Sequence, residues 1–326
     1  MAEPALTTPA RSIRARVTTE FLPGGRSTGL TNFGTFNTAD GNDTIEVGGF
    51  YTAISIYKDS IFDTGNGNDI IRGNSAGWSG LGIFNESITF NTGDGNDTIY
   101  GSGTSGGIAN QGLINTGNGK DTIIADDGLI NISTIDTGEG EDIITASNGF
   151  FNKGTIDTGD GDDIITGSMD YDVPGIDNKG TINTGNGNDS IIAEGLFIAT
   201  DGTINTGDAK DSITSSKGIE NHGTINTGNG ADSILANGGF SGMGSVFLGN
   251  GKDYLKGFGT GKFNGGNHED TLELTSGSYT IGISGATVSF TKSGVLMITS
   301  EFEKLIAGGT THDFTSLTDG QTIVVA

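Results

Sequence analysis

Apolar residues recur along most of this chain at three fixed places in a repeating unit, and polar residues flank most of them. Counted from an aspartate that closes a glycine-rich turn, they lie thirteen and seven residues before it and two residues after it. In the unit around Asp121 they are Ile108, Ile114 and Ile123. This local alternation is typical of short β-strands with one buried face. No helical period of 3.6 residues appears, so the pattern predicts three short strands in each unit.

The turn that anchors this pattern recurs eleven times, with successive aspartates 17 to 28 residues apart and most often 21. A period of this length indicates a solenoid, a propeller or an array. One unit cannot bury its apolar face alone, whereas units stacked about 4.8 Å apart form continuous columns. We therefore predict an all-β fold, a right-handed parallel β-solenoid (a β-roll or β-helix) of about ten coils over residues 29–272. A disordered glycine-rich linker would not maintain three apolar columns.

One apolar column and one asparagine column precede the turn aspartate at fixed distances. The column thirteen residues before the aspartate comprises Leu30, Ile56, Phe84, Ile108, Leu129, Phe150, Ile176, Ile198, Ile219 and Phe240. Eleven residues before the aspartate stand Asn32, Asn110, Asn131, Asn152, Asn178 and Asn221. These asparagines fit either a ladder of stacked amides at a bend or the ordinary preference of asparagine for turns.

Composition narrows the function classes. Of 326 residues 59 are glycine and none is cysteine, which excludes disulfides, a thiol nucleophile and thiolate metal sites. The 40 acidic and 16 basic residues give a net charge of −24, which argues against a nucleic-acid-binding surface. No apolar run approaches the roughly 20 residues that span a bilayer.

The acidic turn itself, Thr-Gly-x-Gly-x-Asp, suggests cation binding. Its glycines permit positive φ, so that backbone carbonyls can point inward beside the carboxylate. Calcium takes about 6 to 8 oxygen ligands, more than one turn offers, but two stacked turns could supply them. Without a cation, aspartates about 4.8 Å apart would repel by roughly 3.5 kcal/mol per pair at an effective dielectric of about 20. The alternative is a turn that binds no metal and whose carboxylates are merely solvated.

Two copies of the turn carry a family resemblance. Residues 183–191, Asn-Thr-Gly-Asn-Gly-Asn-Asp-Ser-Ile, and residues 157–165, Asp-Thr-Gly-Asp-Gly-Asp-Asp-Ile-Ile, resemble the nonapeptides of RTX (hemolysin-type) calcium-binding proteins. The resemblance covers about three quarters of the chain. It implies multiple Ca²⁺ ions, about one per gap between coils, and two kinds of ligand. The implied side-chain ligands are Asp43, Asp69, Asp97, Asp121, Asp142, Asp163, Asp189, Asp211, Asp232, Asp253 and Asp270. The implied carbonyl ligands belong to Gly65, Gly67, Gly93, Gly95, Gly117, Gly119, Gly138, Gly140, Gly159, Gly161, Gly185, Gly187, Gly228, Gly230, Gly249 and Gly251.

The chain departs from that family in ways that change the expectation. Threonine replaces the first glycine in the first nine copies, and each coil has one turn, so we expect a single file of ions along one edge. Ala39, Ala209 and His268 replace loop glycines, which puts their sites in doubt. The turn at Asp253 has Leu248 in place of the threonine, and Asp270 follows after a short spacing that also fits a cap.

The two ends lack the repeat. Residues 1–28 carry Arg11, Arg14, Arg16 and Arg26 without a normal signal peptide, and fit a basic cap or a leader. Residues 273–326 are predicted to form a β-rich C-terminal cap, because a solenoid end exposes its core. Its predicted apolar positions are Tyr279, Ile281, Val288, Phe290, Val295, Met297 and Ile298. RTX-like proteins commonly leave the cell by a type I route read from the C-terminus, and the tail at 322–326 is compatible with such a signal.

These features favour a secreted, non-catalytic, calcium-folded protein at the cell surface or outside the cell, with a structural or adhesive role. Self-association and glycan binding stay open as partner classes. Aromatic residues in the insertions fit either sugar stacking or packing on the solenoid flank: Phe50, Tyr51, Tyr57, Trp78 and Tyr171.

Two further classes stay open. Some polysaccharide-modifying enzymes use β-helices, but His222, His268 and His312 are isolated and no catalytic motif appears. The other class is ice binding by an outward column of threonine with Asp or Asn two residues on, which would form a flat lattice. The column comprises Thr134, Thr155, Thr181, Thr203 and Thr224.

Overall fold

A computed structural model of the chain describes residues 20–22, 26–169 and 173–326, with side chains from residue 29 onward. Arg11, Arg14, Arg16 and Tyr171 lie outside the described residues, and the side chain of Arg26 is not described either. The described part is all-β apart from one short 3₁₀ turn at Phe314–Ser316. None of its helices is long and apolar enough to span a membrane.

The strands are short and numerous. The first twenty are β1 (Glu20–Leu22), β2 (Arg26–Thr28), β3 (Leu30–Asn32), β4 (Thr35–Asn37), β5 (Thr44–Gly49), β6 (Thr52–Ile56), β7 (Ile61–Asp63), β8 (Ile70–Ser75), β9 (Leu81–Asn85), β10 (Thr89–Asn91), β11 (Thr98–Ser102), β12 (Gly106–Asn110), β13 (Leu113–Asn115), β14 (Thr122–Asp126), β15 (Leu129–Asn131), β16 (Thr134–Asp136), β17 (Ile143–Ala146), β18 (Phe150–Asn152), β19 (Thr155–Asp157) and β20 (Ile164–Gly167). The others are β21 (Ile176–Asn178), β22 (Thr181–Asn183), β23 (Ser190–Ala193), β24 (Leu196–Ile198), β25 (Thr203–Asn205), β26 (Ser212–Ser215), β27 (Ile219–Asn221), β28 (Thr224–Asn226), β29 (Ser233–Ala236), β30 (Phe240–Ser241), β31 (Ser245–Phe247), β32 (Tyr254–Lys256), β33 (Gly261–Asn264), β34 (Thr271–Glu273), β35 (Gly277–Ser284), β36 (Thr287–Lys292), β37 (Val295–Ser300), β38 (Lys304–Ala307), β39 (Thr310–Asp313) and β40 (Thr322–Val325).

Each full coil contributes one strand to each of three long sheets, as in the first coil, where β3, β4 and β5 start sheets 1, 2 and 3. Sheet 1 runs from β3 to β30, sheet 2 continues from β4 to β33 and sheet 3 from β5 to β34. Strands of successive coils pair in parallel, for example β13 with β16 and β14 with β17. The predicted parallel β-solenoid of about ten coils is therefore confirmed.

Two of the three predicted apolar columns lie in register in the core. Ile114 pairs with Ile135 in sheet 2, and Ile123 pairs with Ile144 in sheet 3, and all four side chains are fully buried. Because these two columns are separated from the turn aspartate by a constant number of residues, the periodicity locates them correctly. Phe62 and Phe90 continue the sheet 2 column and pack edge to face at 5.0 Å.

The third column was predicted wrongly in three coils. In sheet 1 the residues of these coils in register with the column are Ile54, Ile83 and Leu196, not Ile56, Phe84 and Ile198, although Ile56 and Ile198 are also fully buried. Ile56 and Ile198 pair instead with asparagines, at Asn32 and Asn178. Phe84 pairs with Ala109 on the outward face. The corner between sheets 1 and 2 carries one or two extra residues in these coils, so a fixed offset from the aspartate selects the wrong residue.

Four of the six asparagines, Asn110, Asn131, Asn152 and Asn178, form an amide ladder at that corner, the first of the two alternatives, whereas Asn32 and Asn221 donate only to backbone carbonyls. The Nδ2 of Asn110 donates to Oδ1 of Asn131 at 2.8 Å, and Asn131 donates in turn to Asn152 at the same distance. The same Nδ2 atoms also reach backbone carbonyls of the next coil, as Asn110 does at Thr134. Asn85 joins the ladder through a 2.8 Å bond to Asn110. Sequence analysis missed it because its corner is one residue longer.

The parallel ladders do not stop at Leu272. Sheet 2 continues from β33 to β37 and sheet 3 from β34 to β38, both in parallel register. In the chain, the hairpin of β35 and β36 lies between β34 and β37. It extends sheet 2 beyond β37, and β40 pairs antiparallel with β35 at the end of that sheet. Of the seven apolar positions predicted here, Tyr279, Ile281, Phe290 and Met297 are buried, whereas Val288, Val295 and Ile298 are partly exposed. In the C-terminal tail, Ile323 and Val325 pack into the core.

Candidate metal centre

The eleven turn aspartates form one column along the solenoid, each placed immediately before the sheet 3 strand of its coil. Every one of them is buried, with at most 2% of its surface exposed. A carboxylate buried to this degree needs compensating partners, since burying an unpaired charge is strongly unfavourable. The partners of the two carboxylate oxygens therefore decide what this column can do.

One oxygen of each carboxyl group takes part in a ladder that joins successive coils. The backbone N–H of each aspartate donates to Oδ1 of the aspartate in the next coil, from Asp43 to Asp69 at 2.7 Å through Asp253 to Asp270 at 2.9 Å. In the middle of the column the N–H of Asp121 donates to Asp142 at 2.8 Å. Each carboxyl group thus reaches into the gap between its own coil and the preceding one.

The other oxygen has no protein partner. From Asp69 to Asp270, the Oδ2 atom of every column aspartate is buried and accepts no hydrogen bond among the described residues. Leaving one buried polar atom unsatisfied costs about 1–3 kcal/mol, and more when it is charged. Ten such atoms in one file are too many to be incidental. They indicate that a proton or a cation completes the column.

A threonine hydroxyl next to most of the aspartates donates to a backbone carbonyl of the next coil. This buried threonine stands five residues before the aspartate, and its hydroxyl donates to the carbonyl at the same place in the next coil, which is Leu248 for Thr227 and a threonine for the others. For Thr116 and Thr137 this bond is 3.3 Å, and for Thr184 and Thr206 it is 3.1 Å. The single hydroxyl proton therefore serves the coil-to-coil ladder.

Burial raises the pKa of the column aspartates well above their ordinary value. Desolvation is the largest cause and raises the pKa of Asp97, Asp121 and Asp163 to about 7. It raises the pKa of Asp142, Asp189 and Asp211 to about 6. Asp232, Asp253 and Asp270 also reach about 6, and the pKa of Asp69 is raised. The neighbouring threonine hydroxyl, in most coils, and the hydrogen bond from the preceding coil lower these pKa values but do not offset the burial.

The turns themselves stack as a backbone ladder. The N–H of Gly95 donates to the carbonyl of Asn118 in the next coil at 2.8 Å, and the N–H of Gly119 does the same at Glu139. This stacking requires glycine: a Cβ on Gly140 would lie 1.5 Å from the carbonyl oxygen of Gly119, and its φ is +149°. Where Ala39, Ala209 and His268 replace glycine, the backbone keeps a positive φ, of 63°, 94° and 93°.

The loop carbonyls supply further oxygen atoms near the column. The implied glycine ligands lie four and two residues before each aspartate, as Gly117 and Gly119 do before Asp121. None of the carbonyls two residues before an aspartate accepts a hydrogen bond from a described residue. These carbonyls belong to Gly67, Gly95, Gly119, Gly140, Gly161, Gly187, Gly230 and Gly251.

Carboxylates alone do not form a metal centre here. No group of three or more His, Cys, Asp or Glu side chains in the described part of the chain could hold a metal ion. A cation in a gap between coils would therefore take one side-chain oxygen from the column and most of its ligands from backbone carbonyls. Hard carbonyl and carboxylate oxygens are the ligands that calcium prefers. The unpartnered Oδ2 atoms and the loop carbonyls fit such an ion.

Sequence analysis missed one member of the ladder. Glu303 accepts the N–H of Asp270 through Oε2 at 2.8 Å, so it closes the column as the next aspartate would. Its neighbour Leu305 pairs with Leu272, as the residue two places after an aspartate does in every coil. Glu301, two residues before Glu303, has the positive φ of a loop glycine, at 56°. The sequence Glu303-Lys304-Leu305 carries this signal, but with glutamate for aspartate.

The other candidate residues do not assemble into a site. His222 pairs with Glu220 at 3.0 Å, His268 contacts the carbonyl of Asn267 in a turn, and His312 lies on β39. Trp78 is 93% exposed. Tyr57 stacks on Phe33 at 4.5 Å and meets Phe84 edge to face at 6.3 Å, so it packs on the solenoid flank.

The outward threonines of sheet 2 do lie in register. Thr134 pairs with Thr155, Thr155 with Thr181, and Thr181 with Thr203, which pairs with Thr224. The next outward column changes from aspartate to asparagine along the rod, with Asn183 and Asn205 joined by a 2.9 Å hydrogen bond. This surface is periodic, and it carries fewer charges towards its C-terminal side.

Comparison with known proteins gives a structural likeness but no match in sequence. No protein family matches the sequence, and no curated protein matches it either. Among solved structures, the chain is similar to a hyperactive, Ca²⁺-dependent, β-helical antifreeze protein from an Antarctic bacterium. The two are 17% identical, with a TM-score of 0.43, over 81% of this chain and 80% of the other. Similarity at this level does not imply a shared function.

Proposed function

We propose that this protein is a secreted, non-catalytic calcium-binding β-solenoid that folds on binding extracellular calcium and acts as a structural or adhesive protein at the cell surface. The observation that carries this proposal is the file of buried Oδ2 atoms without a partner. One cation in a gap between coils would give such an oxygen a partner and would offset the repulsion between neighbouring carboxylates.

Calcium is the cation that best suits these donors. The turns offer carbonyl and carboxylate oxygens, and calcium accepts irregular sets of such ligands more readily than magnesium does. Extracellular calcium modules bind with dissociation constants of about 10⁻⁴ to 10⁻³ M, so sites of that kind would fill only outside the cell. The chain has no cysteine, so ions and not disulfides would have to cross-link its coils, which is consistent with calcium binding.

Anomalous diffraction from crystals grown in calcium tests the proposal. We expect peaks in a single file, each between two turns and beside a column Oδ2 atom. Calcium found only against exposed carboxylates, such as those of Asp94 and Asp160, would show that the column is not the binding site. A diffraction map of crystals grown in chelator provides the control.

A second candidate function is ice binding by the threonine column of sheet 2. Its support is the in-register row from Thr181 to Thr224, flanked by neutral asparagines. Repeats of about 4.8 Å between strands and about 7 Å along them present hydroxyl and amide groups on a fixed lattice that could order water.

Thermal hysteresis of the calcium-loaded protein tests this candidate. If the threonine row binds ice, Thr203→Lys in its centre should abolish hysteresis, because a long charged side chain prevents close approach. Thr214→Lys, on the outward face of sheet 3, should leave it unchanged. Absence of hysteresis in the unmodified protein would reject the candidate.

A further inference from the structure

Coils are numbered from 1, which contains Asp43, to 11, which contains Asp270, and a gap lies between two successive coils. The ten gaps fall into two classes, which differ in whether the carbonyl four residues before the aspartate accepts a hydrogen bond. In the first six gaps this carbonyl accepts no hydrogen bond from a described residue. It belongs to Ala39, Gly65, Gly93, Gly117, Gly138 and Gly159.

In the last four gaps the same carbonyl is occupied. Gly207 accepts the N–H of Asn229 at 2.9 Å, and Gly228 accepts that of Asn250 at 2.8 Å. The carbonyls of Gly185 and Gly249 are bonded in the same way, to Asp208 at 3.2 Å and Asn267 at 2.8 Å. In these gaps the backbone of one turn is thus hydrogen-bonded directly to the backbone of the next.

The first six gaps use a different donor arrangement. In five of these six gaps a side chain, not the carbonyl, takes the N–H three residues before the aspartate, as Asp94 Oδ1 does for Asn118 at 3.2 Å. Asp160 Oδ1 does the same for Asn186 at 3.3 Å. Because the side chain satisfies this donor, the carbonyl remains available for another partner.

Charge changes at the same point along the rod. We compare the outer turn positions one, three and six residues before each aspartate. In the first seven coils these positions hold nine acidic residues and one basic residue: Asp40, Asp63, Asp94, Asp136, Glu139, Glu141, Asp157, Asp160, Asp162 and Lys120. In the last four coils they hold two acidic and two basic residues: Asp208, Glu269, Lys210 and Lys252. The surroundings therefore favour cations in the first part only.

In the last three gaps side-chain amides also join successive turns, beginning with Asn229 Nδ2, which donates to Asp208 Oδ1. Asn250 Nδ2 donates to Asn229 Oδ1 at 2.5 Å, and Asn267 Nδ2 donates to Asn250 Oδ1 at 2.6 Å. At the end of the column, Glu303 fixes the last coil to the C-terminal strands. From coil 8 onward backbone and amide hydrogen bonds together thus join the outer positions of successive turns, whereas the Oδ2 atoms of the aspartates have no protein partner there either.

We infer that calcium loading is polarised: the first six gaps bind calcium, whereas the last four gaps are closed by hydrogen bonds and form, with the C-terminal strands, a part of the rod whose folding does not require calcium. This inference rests on the proposed calcium-binding function. It predicts that calcium orders the N-terminal coils on a C-terminal part that is already folded.

Hydrogen exchange of the full chain at pH 7.5, in calcium and in excess chelator, tests the inference. Calcium should slow exchange at least about tenfold in peptides from residues 30–165, and less than about twofold in peptides from residues 205–275. Equal slowing in both regions would overturn the polarised loading while leaving calcium binding intact. No slowing anywhere would overturn the proposed calcium function and this inference with it.

A pair of matched variants gives a second readout in bound calcium per chain. Asp121→Asn and Asp232→Asn each keep an oxygen that can accept the N–H of the preceding coil, but each removes a carboxylate. Asp121 borders two gaps of the first class, so its variant should lose one or two ions. Asp232 borders two gaps of the second class, so its variant should lose none. Equal losses in the two variants would overturn the inference.

Discussion

In excess chelator the protein should be more stable at pH 5 than at pH 7.5. Burial raises the pKa of nine column aspartates to about 6 or 7, whereas the same groups in the unfolded chain titrate near 3.8. Between about pH 4 and 7 the folded state therefore binds more protons than the unfolded state. Stability falls with rising pH wherever this holds, so the calcium-free fold loses stability as pH rises through 6 to 7.

The size of the effect follows from the number of groups. One carboxyl group shifted from 3.8 to about 6 is destabilised on ionisation by about 3 kcal/mol, and coupling within the column prevents simple addition. Several such groups should lower the melting temperature by more than about 10 °C between pH 5 and 7.5. Far-UV circular dichroism melts in chelator measure this shift.

Two variants separate the buried column from general surface repulsion. Asp163→Asn removes a buried ionisable group and should reduce the pH dependence. Asp160→Asn removes an exposed carboxylate and should change it much less. A melting temperature in chelator that stays constant or rises from pH 5 to 7.5 would contradict the account.

Gly140→Ala should destabilise the calcium-loaded protein by more than about 3 kcal/mol. Its Cβ would lie 1.5 Å from the carbonyl oxygen of Gly119, and its φ of +149° is one that alanine rarely adopts. Overpacking of a tight contact costs about 1–3 kcal/mol, and strained backbone adds a similar amount. Urea unfolding followed by circular dichroism gives the free energy of unfolding.

Gly48→Ala is the matched control, because a Cβ there meets no atom within 4 Å and its φ is not positive. Its free energy of unfolding should change by less than about 0.5 kcal/mol. Ala209 occupies the same turn place as Gly140, but there φ is +94°, so the turn has rotated to accept it. An unchanged free energy of unfolding in Gly140→Ala would show that the turns are not packed as tightly as described.

The sequence predicted the parts of the fold whose distance from the turn is constant. The strands of sheets 2 and 3 follow at fixed offsets, so Ile114 and Ile123 were placed correctly. The corner between sheets 1 and 2 accepts extra residues, and there the same counting selected Ile56 in place of Ile54. Counting residues cannot locate a column when the chain between it and the anchor varies in length.

The sequence located the periodic aspartates of the column, but neither its last member nor the two classes of gap. The periodic aspartates were found because they recur, whereas Glu303 was hidden by the hairpin of β35 and β36 between it and Asp270. The two classes of gap differ in whether a loop carbonyl of the preceding coil accepts one backbone N–H. Gly117 and Gly228 begin similar Gly-Asn-Gly turns, yet only Gly228 accepts that bond. Such a difference depends on how neighbouring coils stack, which one repeat does not encode.

The most direct test of the central claim is the melting temperature of the full chain at pH 7.5, in about 5 mM calcium and in excess chelator. The aspartate column predicts that calcium raises the melting temperature by more than about 20 °C, with β-structure lost at lower temperature in chelator. Magnesium at the same concentration should have a much smaller effect, because it keeps its own water ligands. Equal melting temperatures in calcium and chelator would contradict the claim that cations complete the column.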